Sequence, residues 1–162
     1  MIDWSARPFE ERNLFNPAFC ALILVAAIRE YERVAGKPMP YSLTLLVLPL
    51  CLHQAARDQI LGSKKLSILR IVALQSDLLV DFAERAKSLV QYATEAFALL
   101  ASKGCIAVSE EGGIHLIPRR VSAQALGTDD AEICRNAATI LGRDFAQIND
   151  RVTIYTSLSI RP

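Results

Sequence analysis

The chain has 162 residues, 52% of them hydrophobic and 22% charged, with a formal net charge of +1. A disordered chain would show low hydrophobicity and a large net charge, and neither is present; about 150 residues can bury roughly 70% of their unfolded surface, so one domain can form a core without disulfides or metal. The charge balance excludes a global attraction to nucleic acid or anionic membrane, but a mean hydropathy of +0.26 requires that apolar surface enter a membrane or be covered by something else.

The first stretch, Ile2–Phe15, shows no clear period and reads as an arm over residues 1–16. Asn16-Pro17 then signals a helix start, because Asn caps free N–H groups and Pro fits the first helical position. The helix is expected from Pro17 to about Ala35, where Gly36 supplies a left-handed stop and Pro38 forbids continuation. Its first half, Pro17–Ile28, is apolar all round, which predicts burial on more than one side. The run is stopped by Arg29, Glu30, Glu32 and Arg33, short of the about 20 residues a membrane span needs. Leu43–Leu52 is shorter still and carries Pro49. It reads as a helix kinked at Pro49 or as a buried strand. Gln54–Leu61 continues as a short polar helix closed by Gly62-Ser63. These N-terminal helices occupy residues 17–62.

Residues 63–118 have a recognisable order. Short helices are expected at Lys65–Leu74 and Asp77–Ala86, and a third from Leu89 to Ser102 with Val90, Ala93, Phe97 and Leu100 on one stripe. Gly104 ends it. Cys105–Val108 and Ile114–Ile117 are β-prone runs around Glu110-Glu111-Gly112-Gly113, which reads as a hairpin. Three helices followed by a hairpin is the layout of a winged helix-turn-helix. The fold class expected is therefore mainly α, one helical domain over 1–162 with an embedded winged helix. The C-terminal helices, residues 119–162, begin after the polar connector Arg119–Gly127. Thr128-Asp129-Asp130 caps a helix from Ala131 to about Ile148, with acidic residues suited to its dipole. Val152–Leu158 is a short helix or strand.

A winged helix invites a DNA-binding reading, but the residues argue against it. The third helix carries no Lys or Arg, Glu95 sits on the face that would approach DNA, and Glu110 and Glu111 tip the hairpin. Lys87, Lys103, Arg119 and Arg120 are the only local basic residues, whereas a DNA binder needs several on one face. Catalytic signals are also missing. His53 and His115 have no neighbouring nucleophile or carboxylate that suggests a pair, there is no phosphate loop, and Glu10/Glu11, Glu110/Glu111 and Asp129/Asp130 read as turns or caps. Cys20, Cys51, Cys105 and Cys134 form no CxxC pair and read as reduced core thiols. No metal spacing or cofactor motif stands out. The start of the chain lacks a signal peptide. The expectation is a cytoplasmic protein with no enzyme activity and no cofactor.

At Arg7-Pro8, and then along Asn13-Leu14-Phe15-Asn16-Pro17-Ala18-Phe19-Cys20-Ala21-Leu22, the sequence resembles the middle component of bacterial three-component ABC systems, including the Lamassu-like antiphage systems. The resemblance continues through Met39-Pro40, Leu48-Pro49-Leu50, His53, Phe82-Ala83-Glu84-Arg85-Ala86 and Leu141-Gly142-Arg143-Asp144-Phe145-Ala146. It ends at Thr153-Ile154-Tyr155 and Arg161-Pro162. It implies an adaptor between an SMC/Rad50-like ATPase and an effector subunit, a nuclease in many such systems, with DNA touched only weakly or indirectly. The arm and first helix would then dock partners. Asp144 departs from the bulky residue expected before Phe145.

Aromatic and Arg side chains dominate interface energetics. Trp4, Arg7, Pro8, Phe9, Asn13, Phe15, Arg143 and Arg161 are accordingly the candidate protein-interface residues. Phe19, inside the helix, is expected in the core. Lys87, Lys103, Arg119 and Arg120 are the candidate nucleic-acid contacts if the chain is instead a winged-helix transcriptional regulator. The apolar excess further predicts a chain that is poorly soluble alone.

Overall fold

The computed structural model describes residues 8, 15–63, 65–122 and 128–160. Helix α1 spans Pro17–Ala35 and is followed by the two-residue strand β1, Met39–Pro40. Three short helices follow: α2 (Tyr41–Thr44), α3 (Val47–Cys51) and α4 (Gln54–Gly62). Next come α5 (Ile68–Leu74), a 3-10 turn at Ser76–Leu79, and the long α6 (Phe82–Ser102). Strands β2 (Ile106–Val108) and β3 (Gly113–Leu116) form the hairpin, and α7 (Asp129–Ile148) and α8 (Arg151–Ser157) complete the chain. The described residues are mainly helical with one small sheet.

Helix α1 is the centre of the core, and its ends follow from local chemistry. Asn16 Oδ1 accepts the N–H of Ala18 at 2.8 Å, Pro17 opens the helix, and Gly36 closes it in the left-handed region at φ 65°. Cys20, Ile23, Leu24, Ala27 and Ile28 are fully buried, as an all-round apolar stretch requires. The helix packs most extensively on α7 and also on α6, α3 and β3. At its crossing with α7 the two backbones touch. A Cβ on Gly142 would run into the Ala27 carbonyl, 2.9 Å from its carbon. Phe145 and Leu141 fill the space beside that contact with no exposure.

Leu43–Leu52 is helical, and its break falls at Leu45–Leu46 rather than at Pro49. Pro49 lies in the first turn of α3, where a missing N–H breaks no helical bond. The helix ending near Ile148 appears as expected, with Thr128 Oγ1 accepting the N–H of Ala131 at 3.3 Å. The tail is helical, begun by Asp150, whose Oδ1 accepts the N–H of Val152 at 3.0 Å. The hairpin also forms, turning at Ser109–Gly112.

The block over 63–118 differs from the three helices and hairpin expected there. The helices read at Asp77–Ala86 and Leu89–Ser102 are not separate. A 3-10 turn covers Ser76–Leu79, Asp81 adopts φ 54°, and Phe82–Ser102 is one continuous helix. Nothing in Ala86-Lys87-Ser88 breaks a helix. The Ser88 hydroxyl bonds back to the Arg85 carbonyl at 2.9 Å, an arrangement helices accommodate. The hairpin also gains a strand from outside the block. Met39 pairs with Ile114 and Pro40 with Gly113, so the sheet order is β1-β3-β2, all antiparallel. No helix among the described residues is long and apolar enough to cross a membrane.

Candidate docking surface

Helix α6 lays its buried stripe, Leu89, Ala93, Ala96, Phe97 and Leu100, against the core. Its last turns also run beside the hairpin, and there the packing stops short. A groove of about 540 Å³ opens between Phe97, Ala98 and Ala101 of α6, Ile106 and Val108 of β2, and Tyr41 of α2. Thr94 supplies its one side-chain hydroxyl besides that of Tyr41. The Tyr41 and Phe97 rings meet at a tilt, 5.4 Å between centroids. Val108 is 65% exposed. A contiguous apolar surface of this kind on a water-facing seam is a candidate for covering by another chain.

A second concavity, about 400 Å³, lies between the hairpin turn and the α7–α8 junction. Lys37, Glu111, Asp150 and Arg151 line it beside Pro38 and Val152. Its charges are mixed and suggest no single ligand class.

The candidate interface residues fall in different places. Trp4, Arg7, Phe9, Asn13 and Arg161 lie outside the described residues. Pro8 is exposed. Phe15 is half-buried and stacks on Tyr92, ring centroids 4.3 Å apart. Phe19 is half-buried against the core. Arg143 is half-exposed on α7, its guanidinium 3.7 Å from Asp144 Oδ1. Asp144 itself is buried, and its Oδ2 accepts the N–H of Ile68 at 3.1 Å, which satisfies a free donor at the start of α5. Burial pushes its carboxyl pKa up, against the pull of Arg143 and the Ile68 bond. A polar residue at this position therefore has a structural partner that a bulky apolar one would lack.

Three of the four basic residues weighed for DNA lie at one end of the hairpin, where Cys105 Sγ is 3.7 Å from the Lys103 carbonyl oxygen and 3.9 Å from that of Arg120, beside Arg119; Lys87 stands apart from them. All four are exposed. Lys87 shares a shallow concavity with Glu84, and it stands 16 residues before Lys103 (103 − 87), the residue that closes α6, about 24 Å at 1.5 Å per residue. Arg119 adopts φ 62° and Arg120 follows it beyond the hairpin.

The other reactive groups are engaged locally. His53 caps α4, its Nδ1 accepting the N–H of Ala56 at 3.3 Å. Burial, and then the nearby Arg85, pushes its pKa down. Glu32 accepts the N–H of Leu116 at 3.3 Å, and burial raises its carboxyl. All four cysteines are free and buried. Burial, with Glu95 nearby, pushes the Cys20 thiol up to about 12, and burial also raises Cys51 and Cys134. Thiols shifted this way are poor nucleophiles. Among the described residues no His, Cys, Asp and Glu group could hold a metal ion.

The docking groove escaped the sequence reading because it joins residues far apart in the chain, Tyr41, Phe97 and Val108. One signal was present: Ile106-Ala107-Val108 is a strand with no charge or proline on it. A family model described as ABC-three component (ABC-3C) system Middle Component 3 matches residues 4–162. No curated protein and no solved structure matches the chain.

Proposed function

Because the chain belongs to the middle component 3 family of ABC three-component systems, with partner subunits therefore implied, we propose that it is the non-catalytic adaptor of an antiphage defence complex. In this reading it links or restrains a nuclease effector on an SMC-like ATPase in the cytoplasm. The observation that carries the reading is the family match across nearly the whole chain. The apolar groove between α6 and the hairpin adds to it, because obligate partners cover surfaces of that character. The arm residues Trp4, Arg7, Phe9 and Asn13, together with Arg161, are proposed as further contacts. Co-expression with the proteins encoded beside it, followed by size exclusion, tests the proposal. A complex containing both an ATPase and an effector is expected. A chain that elutes alone overturns it.

A winged-helix DNA regulator is the second reading. Its support is the hairpin that directly follows the long α6 and pairs with a strand lying between α1 and α2. Against it stand the acidic hairpin tip and the small number of local cations, whereas a DNA binder needs several on one face. Salt-dependent duplex binding that is lost in Arg119→Glu with Arg120→Glu would favour it over the adaptor.

A further inference from the structure

Among the described residues, strand β2 is an edge strand with no neighbour on its outer side. The sheet order β1-β3-β2 leaves its outer side unpaired. The ladder fixes which groups face outward. Ile117 donates its N–H to the Cys105 carbonyl at 2.9 Å, and Ser109 donates to the Gly113 carbonyl at 2.8 Å, with Ala107 opposite His115 between them. Antiparallel pairing alternates, so the backbone N–H and C=O of Ile106 and Val108 point away from β3. Edge strands are normally blunted by shortness, charge, proline, a bulge or a covering element; Ile106-Ala107-Val108 is short, but it carries no charge and no proline. The side chains of the same two residues form one wall of the apolar groove, with Phe97, Ala98 and Ala101 opposite. Backbone hydrogen-bonding groups and an apolar pocket for alternate side chains thus lie along one line, which is how a sheet edge accepts an added strand.

Charge and size narrow the occupant. Lys103 precedes the strand and Glu110-Glu111 follow it, so the edge has a positive end and a negative end. A stable dimer of globular chains needs roughly 800 Å² per partner. An edge offering only two outward-facing residues beside one groove is far smaller than that, and suits a linear segment better than a second copy. We propose that the outer edge of β2 and the adjoining groove bind an extended segment of a partner subunit, added antiparallel as a fourth strand. The segment has two alternate apolar residues facing the groove. It carries a basic residue at the end beside Glu110 and Glu111, and an acidic residue at the end beside Lys103. This rests on the adaptor reading for the source of the segment, but not for the chemistry of the edge.

Two measurements on the full chain test it. In the first, the probe is the peptide acetyl-Lys-Thr-Val-Thr-Val-Thr-Glu-amide, followed by amide chemical shifts. Shifts confined to residues 105–109 and the end of α6 are expected, and N-methylation of both valines is expected to weaken binding about tenfold or more, because each removes a strand donor. Equal binding by the N-methylated peptide, or shifts elsewhere, overturns the proposal. In the second, amide exchange is read on the chain alone and in the co-expressed complex. Protection of Ile106 and Val108 is expected to rise about tenfold or more in the complex. A complex that forms without protecting them overturns this inference while leaving the adaptor reading intact. If no complex forms, the adaptor reading fails and the peptide result alone decides the edge. A chain that runs as a dimer, and becomes monomeric in Val108→Lys, assigns the edge to a second copy and overturns the partner segment.

Discussion

The seam between α1 and α7 is closed down to the backbone, whereas the seam between α6 and the hairpin stays open. At the first, Gly142 removes a side chain so that two helices touch, and Phe145 and Leu141 seal the flanks. At the second, Tyr41, Phe97 and Val108 border a groove of about 540 Å³ that none of the described residues fills. The difference shows where the apolar surplus goes. Part of it is buried along α1, where Cys20, Ile23, Leu24, Ala27 and Ile28 are fully covered, and part is left at the open seam, at Tyr41 and Val108.

Substitutions on the two seams should therefore separate sharply in their effect on stability. Phe145→Ala is expected to cost about 3–5 kcal/mol, as for other buried aromatics, read as a shift in urea midpoint. A loss under about 1 kcal/mol would break the contrast, since a cavity that cheap implies loose packing. Gly142→Ala should cost about 1–3 kcal/mol, because the added methyl has only backbone to push against.

Asp144 on the same helix sharpens the comparison through pH. Asp144→Ala leaves the Ile68 N–H without its acceptor and is expected to cost about 1 kcal/mol. Asp144→Asn retains an acceptor oxygen without a buried charge and should match or exceed the parent at pH 7. The sign follows from linkage. Burial raises the folded carboxyl pKa above its reference of 3.8, so the folded state holds its proton more tightly. That stabilisation is full below 3.8 and is lost as pH rises through the folded value. The advantage of the Asn variant should appear above that value and vanish below 3.8, in denaturation curves taken at both pH extremes.

Asn16→Ala removes the cap of α1 and should cost about 0.5–1 kcal/mol, the lower part of the range for capping residues. The smallest effect is expected at the open seam. Val108→Lys should leave stability within about 0.5 kcal/mol of the parent, because that side chain is largely exposed. A larger loss would mean that the groove belongs to the core and is no docking surface.

Much of this was readable from local chemistry. Asn16, Pro17 and Gly36 bracket α1, Thr128 starts α7, and Glu110-Glu111-Gly112 turns the hairpin, because capping and turn formation are decided within a few residues. The sequence divides α6 into two helices around Lys87-Ser88, although neither residue breaks a helix and the structure runs straight through them. Strand β1 was missed because two residues, one of them proline, carry no strand pattern until β3 arrives to pair with them. The groove depends on three segments meeting, which periodicity within one segment cannot show. Asp144 looked like a departure from pattern, and its reason is a backbone donor 76 residues away in sequence.

The pairing of α1 with α7 also sets a schedule for the newborn chain. Helix α1 is complete at residue 35, and its cover ends at residue 148. At about 5–20 residues per second of synthesis, this central helix waits roughly 6 to 23 s on the ribosome before α7 can shield it. The last helix fastens late as well, when the Tyr155 hydroxyl donates to the Ser42 carbonyl at 2.7 Å. A nascent chain held open that long has a stretch of its own life in which chaperones can engage it, and translation speed becomes a variable in how much of it survives.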